Sequence, residues 1–186
     1  MSRFRPDRRG RPTLVLDAIE REVLADLVLQ VRHLVGGPAE ADPLAGLSLA
    51  EAGAESGAES GAEVPADPAL ARLLPDAYRD DPEGAEDFRR FTEADLRAGK
   101  VRDALLVLGD LEAADDADSV VLASAEQAEA WLRALNDVRL ALGARLDVAE
   151  DSWEEAESLP EGSERRQALE VYHWLGWLQE TLLECL

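Results

Sequence analysis

Between Ala128 and Leu146 the apolar residues return every three or four positions. Ala128, Trp131, Leu135, Val138, Leu142 and Leu146 share one face when each residue advances by about 100°. That period commits the stretch to an amphipathic helix packed on a core. One residue on the stripe does not belong there by type, Arg139, whereas Arg133 and Asp137 fall on the opposite side and Asn136 at the border. A guanidinium cannot shed its charge, so on a core-facing stripe it must find a carboxylate or backbone carbonyls. No acid stands three or four places away on that face. The expectation is a buried pair between helices, made by Arg139 with a carboxylate from elsewhere and helped by Asn136. A binding role for Arg139 is the competing reading.

The same period organises most of the chain. Asp17 and Glu20 read as a capping box ahead of Ile19, Val23, Leu24, Leu27, Val31, Leu34 and Val35, and Gly36-Gly37-Pro38 ends that helix. Asp81-Pro82 opens a helix bearing Phe88 and Phe91. Thr92 with Asp95 opens another bearing Leu96, Val101, Leu105, Leu108 and Leu111, with Gly99 as a kink. Ser124 and Gln127 cap the helix of the first paragraph. An acidic loop, Glu150 to Glu164, precedes the closing stretch "ERRQALEVYHWLGWLQETLLECL", whose Trp174, Leu175, Trp177, Leu178 and Leu182 leave little polar circumference. Such a helix is either central to the core or half of an interface, which makes Trp174 and Trp177 the interface candidates. Two β-type runs, "SRFRP" and "PTLVLD", meet around Arg9, Gly10 and Arg11 as a hairpin, and "SVVLA" supplies a third strand. The fold class expected is mainly α: a helical bundle of about five or six helices with a minor two- or three-stranded β element.

Residues 37–66 break the pattern. "AEAGAESGAESGAEVPA" repeats small and acidic residues that cannot bury enough apolar surface to offset the entropy of ordering them. The expectation is one domain over 1–186 with 37–66 as a disordered acidic insert.

The formal net charge is −21, from 40 acidic against 19 basic residues. That sign opposes direct nucleic-acid or anionic-membrane binding and favours a basic protein partner. The first eleven residues are the exception, with five arginines against Asp7, and the acidic body is the expected dock for that arm. No signal-peptide pattern and no run of about 18 apolar residues appear, so a cytoplasmic location is expected. Cys185 is the sole cysteine, which rules out an intramolecular disulfide or a cysteine zinc cage.

Catalytic patterns are missing: no HExxH, no glycine-rich phosphate loop after a strand, no nucleophile elbow, no calcium loop. Adjacent acids such as Asp115-Asp116 and Glu154-Glu155 diverge on a helix or turn. His33 and His173 read as structural histidines on amphipathic helices. No enzyme, cofactor or metal is expected.

Taken in order, "DPEGAEDFRRFTEADLRAGKVRDALLVLGDL", "VVLASAEQAEAWLRALNDVRLALGARL" and a Trp-rich closing helix resemble the AosR-type oxidative-stress regulator family of actinobacteria, long known as a domain of unknown function. The likeness spans roughly residues 12–36 and 68–183. It implies a non-enzymatic cytoplasmic regulator that works through an alternative, redox-stress sigma factor to raise transcription of thiol and cysteine biosynthesis genes. It also implies a gene neighbourhood shared with the adaptor ClpS, so an accessory role in Clp-dependent proteolysis is the alternative. The family's redox sensing goes with a CxxxC pair. Here the position four before Cys185 is Thr181, so Cys185 remains a redox candidate for intermolecular chemistry only. The expected partner is a basic sigma-factor or polymerase surface, and a second copy of the chain is a further candidate.

Overall fold

The computed structural model describes residues 2–36, 67–75, 82–114 and 119–186. The expected insert at 37–66 lies outside them. Among the described residues the fold is mainly α, with six helices and one three-stranded antiparallel sheet, as the periodicity predicts.

Strand β1 (Phe4–Pro6) pairs with β2 (Pro12–Leu14), and β3 (Val120–Val121) joins the other edge of β2, with Thr13 opposite Val121. The hairpin turns at Gly10, whose φ of 78° suits a residue without Cβ. Asp7 closes it by accepting from the backbone N–H groups of Arg11 (2.9 Å) and Arg9 (2.8 Å) and by pairing with the Arg11 guanidinium at 2.7 Å. The Arg11 contacts hold its carboxyl below the usual carboxylate range. The basic arm folds onto its own domain as strand β1 of the sheet, with Phe4 in the core. Phe4 is buried edge-on against Trp131, 5.7 Å between ring centres, and its N–H donates to Thr181 Oγ1 at 3.1 Å.

Helix α1 (Ala18–Gly36) starts with the expected capping box: Glu20 N–H donates to Asp17 Oδ1 at 2.8 Å and Asp17 N–H to Glu20 Oε2 at 3.2 Å. Its buried face is Leu24, Val28, Val31 and Val35, while Ile19, expected on that face, is exposed. A short α2 (Pro68–Leu73) is capped by the Asp67 carboxylate. The two helices expected over 82–111 are one, α3 (Pro82–Ala113). Thr92 does not cap a new helix, because its hydroxyl donates to the Phe88 carbonyl one turn back at 2.8 Å and leaves the backbone ladder running.

Helix α4 (Ala125–Leu146) packs against α1, α2, α3 and a last helix, α6 (Glu164–Leu183). So central a helix needs more than one apolar stripe. Ala130, Ala134 and Ala141 are buried beside Trp131, Leu135 and Val138. Asp137, expected to point outward, is also buried, because α3 covers that side. Lys100 of α3 reaches its Oδ1 at 2.6 Å. Farther along the antiparallel seam, Asp103 takes two hydrogen bonds from Arg133 (2.6 and 3.0 Å), and Asp110 Oδ2 accepts from Gln127 Nε2 and Trp131 Nε1, each at 2.7 Å. Burial pushes the Asp137 carboxyl above its ordinary value, and the Lys100 ammonium opposes that push without cancelling it.

The acidic stretch 150–164 is not simply a loop. It holds α5 (Ser152–Ser158), which packs on α6 with Ser152 and Ala156 buried.

Candidate functional site

Where α4 meets α6, each helix offers a glycine to a large side chain of the other. A Cβ on Gly143 would stand 3.2 Å from the Tyr172 ring, and a Cβ on Gly176 would stand 3.5 Å from the Arg139 guanidinium carbon. Tyr172 and Arg139 thus lie side by side in the seam. Arg139 Nη1 donates to Gln179 Oε1 at 2.7 Å, Nη2 lies 3.5 Å from the Tyr172 hydroxyl, and the guanidinium carbon sits 5.1 Å from the Tyr172 ring centre. Among the described residues its Nε is buried without a hydrogen-bond partner.

The partner comes from another helix, as expected, but it is an amide and a phenol ring and not a carboxylate. The guanidinium lies against α6 beside Gly176, where the Gln179 amide oxygen and the Tyr172 ring face supply partial negative charge. Asn136 is exposed and takes no part in the seam.

Outside the seam, α5 and α6 build an aromatic surface. Trp153 packs against His173 with ring centres 4.8 Å apart and planes tilted by 53°, and Ser152 Oγ meets His173 Nε2 at 3.2 Å. Trp177 follows His173 by one helical turn on the same face of α6. Trp153 is 59% exposed and Trp177 37%, whereas Trp174 is 5% exposed and belongs to the core. Of the two expected interface residues, then, Trp177 faces outward and Trp174 does not. Acids ring the aromatic pair: Asp151, Glu154, Glu157, Glu180 and Glu184 are all exposed. Glu155 is neutralised by Arg165, and Glu170 by Arg166 at 2.8 Å.

His173 is held below its ordinary pKa, first by burial and then by the Arg139 charge, so the imidazole is neutral at neutral pH. Around the Ser152–His173 contact the nearby charge is the Arg139 cation and the ring neighbours are Trp153 and Tyr172, surroundings that lower the basicity of the imidazole. A hollow of about 30 Å³ lies between α1 and α4 beside Leu27, Val31 and Leu142, enough for about one water. Among the described residues no three His, Cys, Asp or Glu side chains are grouped to hold a metal ion, and no helix is long and apolar enough to cross a membrane.

Cys185 is half-buried just past the end of α6, its thiol pushed up by burial and by Glu184. Thr181, one turn before it, is buried and structural. It accepts from Phe4 N–H, and its own hydroxyl faces the carbonyls of Trp177 (2.9 Å) and Leu178 (3.2 Å).

Trp153, Tyr172, Gln179 and Lys100 carry much of this arrangement and were not singled out in the sequence. Trp153 had a signal, a tryptophan inside an acidic segment that an apolar core would not explain. The others had none, because helical period identifies a face but not what faces it.

Proteins called oxidative stress regulator AosR in Mycobacterium bovis and Mycobacterium tuberculosis are each 35% identical to the chain over 129 residues, covering 64% of this chain and 58% of theirs. A Mycobacterium leprae relative is 33% identical over 132 residues, with the same coverage. The chain therefore spans less than two thirds of the length of these relatives. No solved structure matches it. The likeness of the whole sequence, residues 1–186, is to one family, described as Domain of unknown function (DUF2017), and the chain belongs to it.

Proposed function

We propose that this chain is a non-enzymatic cytoplasmic regulator of the oxidative-stress response that acts by protein contact. Its α5–α6 face docks on a basic surface of a redox-stress sigma factor or its polymerase, and the contact promotes transcription of thiol and cysteine biosynthesis genes. The observation that carries the reading is the exposed Trp153 and Trp177 beside the half-buried His173, among the exposed acids Asp151, Glu154, Glu157, Glu180 and Glu184. Large aromatic anchors with a charged rim are what a protein interface uses, the anchors for affinity and the rim for steering. The names of the mycobacterial relatives supply the biological setting. A lone Cys185 leaves contact, not an internal disulfide, as the means of regulation.

The test is a pull-down with the wild-type chain and with Trp153→Ala and Trp177→Ala, both exposed positions. Sigma factor and polymerase in the eluate, lost at least tenfold in either variant and weakened as salt carries the Debye length below about 8 Å, support the proposal. Recovery of ClpS or a Clp ATPase in their place supports the proteolysis-accessory alternative and sinks this one.

A further inference from the structure

Helix α3 packs on α1 and α4 through one side, where Ala104, Val107 and Leu111 are buried and Lys100 meets Asp137. Its opposite side is exposed at every step of a 3–4–3–4 progression: Phe88, Phe91, Asp95, Ala98, Arg102, Leu105, Gly109. That is the spacing of a helix–helix seam, sustained over about 31 Å of helix at 1.5 Å per residue. Phe91 is 74% exposed and Leu105 48%, far more than a helix flank needs. Asp95 and Arg102 make no ion pair among the described residues. Two turns apart on one helix, about 10 Å, they cannot reach each other.

We propose that this face is a homodimer interface in which two α3 helices pack antiparallel about a two-fold axis at Ala98. The stripe is complementary to itself in that one arrangement. Reversing the helix about Ala98 sets Phe91 against Leu105 and brings Asp95 within one residue's rise, about 1.5 Å, of the level of Arg102, each pairing occurring twice. A parallel alignment would instead face Asp95 with Asp95 and Phe88 with Phe88, leaving like charges together and bulk against bulk. The positions flanking the seam, among them Ala94, Gly99 and Val101, are uncharged and small enough for close approach. With only three heptads in contact the interface sits at the low end of specific size, so the dimer is concentration-dependent. Because α4 lies between α3 and α6, this dimer leaves the α5–α6 surface free.

Sedimentation velocity of the full chain across a hundredfold range of concentration, at about 0.15 M salt to screen the net negative charge, reads the association. The expected result is a monomer–dimer equilibrium that Arg102→Asp weakens at least tenfold and that the exchange Asp95→Arg with Arg102→Asp restores. In a Cys185→Ser background, Ala98→Cys should cross-link to a dimer on oxidation. Glu112→Cys should not, since its two copies would lie about 40 Å apart in the antiparallel pair. Asp95, Ala98, Arg102 and Glu112 are exposed, and Cys185→Ser at the half-buried end of α6 is common to both cross-linking variants, so folding is not at stake in the comparison. A monomer throughout, a dimer indifferent to Arg102→Asp, a failed exchange, or cross-linking through Glu112→Cys would each overturn the proposal.

Discussion

Lys100 stands alone among 19 basic residues as a lysine, and its ammonium is aimed at a carboxylate, Asp137, that the rest of the protein covers. Removing only the cation leaves a buried charge without its hydrogen-bonded partner, which costs about 3–5 kcal/mol. Lys100→Met should therefore lower stability by that amount in urea unfolding, and adding Asp137→Leu should recover most of the loss. If the double variant is no more stable than the single, the pair is not the origin of the effect. Arg139 is the opposite case. Its partners are the neutral Gln179 and Tyr172, so Arg139→Met strands no charge and should cost only about 1 kcal/mol. The same substitution removes one of the two influences that depress His173. Its pKa, read by NMR of the imidazole, should rise in Arg139→Met yet stay below 6.5, because burial remains the larger cause. An unchanged titration would show that the guanidinium field does not reach the ring.

Elements were legible where local chemistry decides them and illegible where a neighbour does. The Asp17–Glu20 cap is a contact within four residues, so its sequence pattern and its geometry agree. At Ser124 the side chain accepts from Gln127 N–H at 3.1 Å as the pattern predicts, and the Gln127 amide oxygen accepts from Ala123 N–H at 2.8 Å. Helix α5 was missed because seven residues with no side-chain cap bond have little helical tendency alone, and its order comes from Ser152 and Trp153 meeting His173 of another helix. The stripe that carries Arg139 faces the core as its period predicts, but the partner of Arg139 is not an acid, since an amide and a tyrosine ring on α6 are not visible from α4. The glycines give a test at this scale. A Cβ on Gly176 meets the Arg139 carbon at an ordinary 3.5 Å, so Gly176→Ala should add about 0.5–1 kcal/mol through helix propensity. On Gly143 it would stand 3.2 Å from the Tyr172 ring, which must give way, so Gly143→Ala should gain less or lose. Equal stabilisation by both would mean that the Tyr172 packing is loose.

At the scale of the molecule, acidity and a single thiol set the response to conditions. Depression of the His173 pKa means that the unfolded chain binds the extra proton first as pH falls. Its contribution to stability is complete above the unfolded value near 6.5 and is lost as pH drops toward the folded value. Asp137 has the reverse sign: with its folded pKa raised, its contribution is complete below 3.8 and is lost as pH rises through the folded value. Oxidation tests the thiol. Burial and Glu184 raise the Cys185 pKa, so little thiolate is present at neutral pH, and the residue one turn back is a threonine already engaged with Phe4. No second sulfur exists to close a ring, and two chains must meet before a disulfide can form, with peroxide reduced to water as the two thiols are oxidised. Mild peroxide should leave the circular dichroism spectrum and melting temperature unchanged and give only a slow band at dimer mass on a non-reducing gel, absent in Cys185→Ser. A fast, Cys185-dependent change that also alters binding of the proposed sigma-factor partner would show that one cysteine at the end of α6 performs a switch that its environment here gives no means to drive.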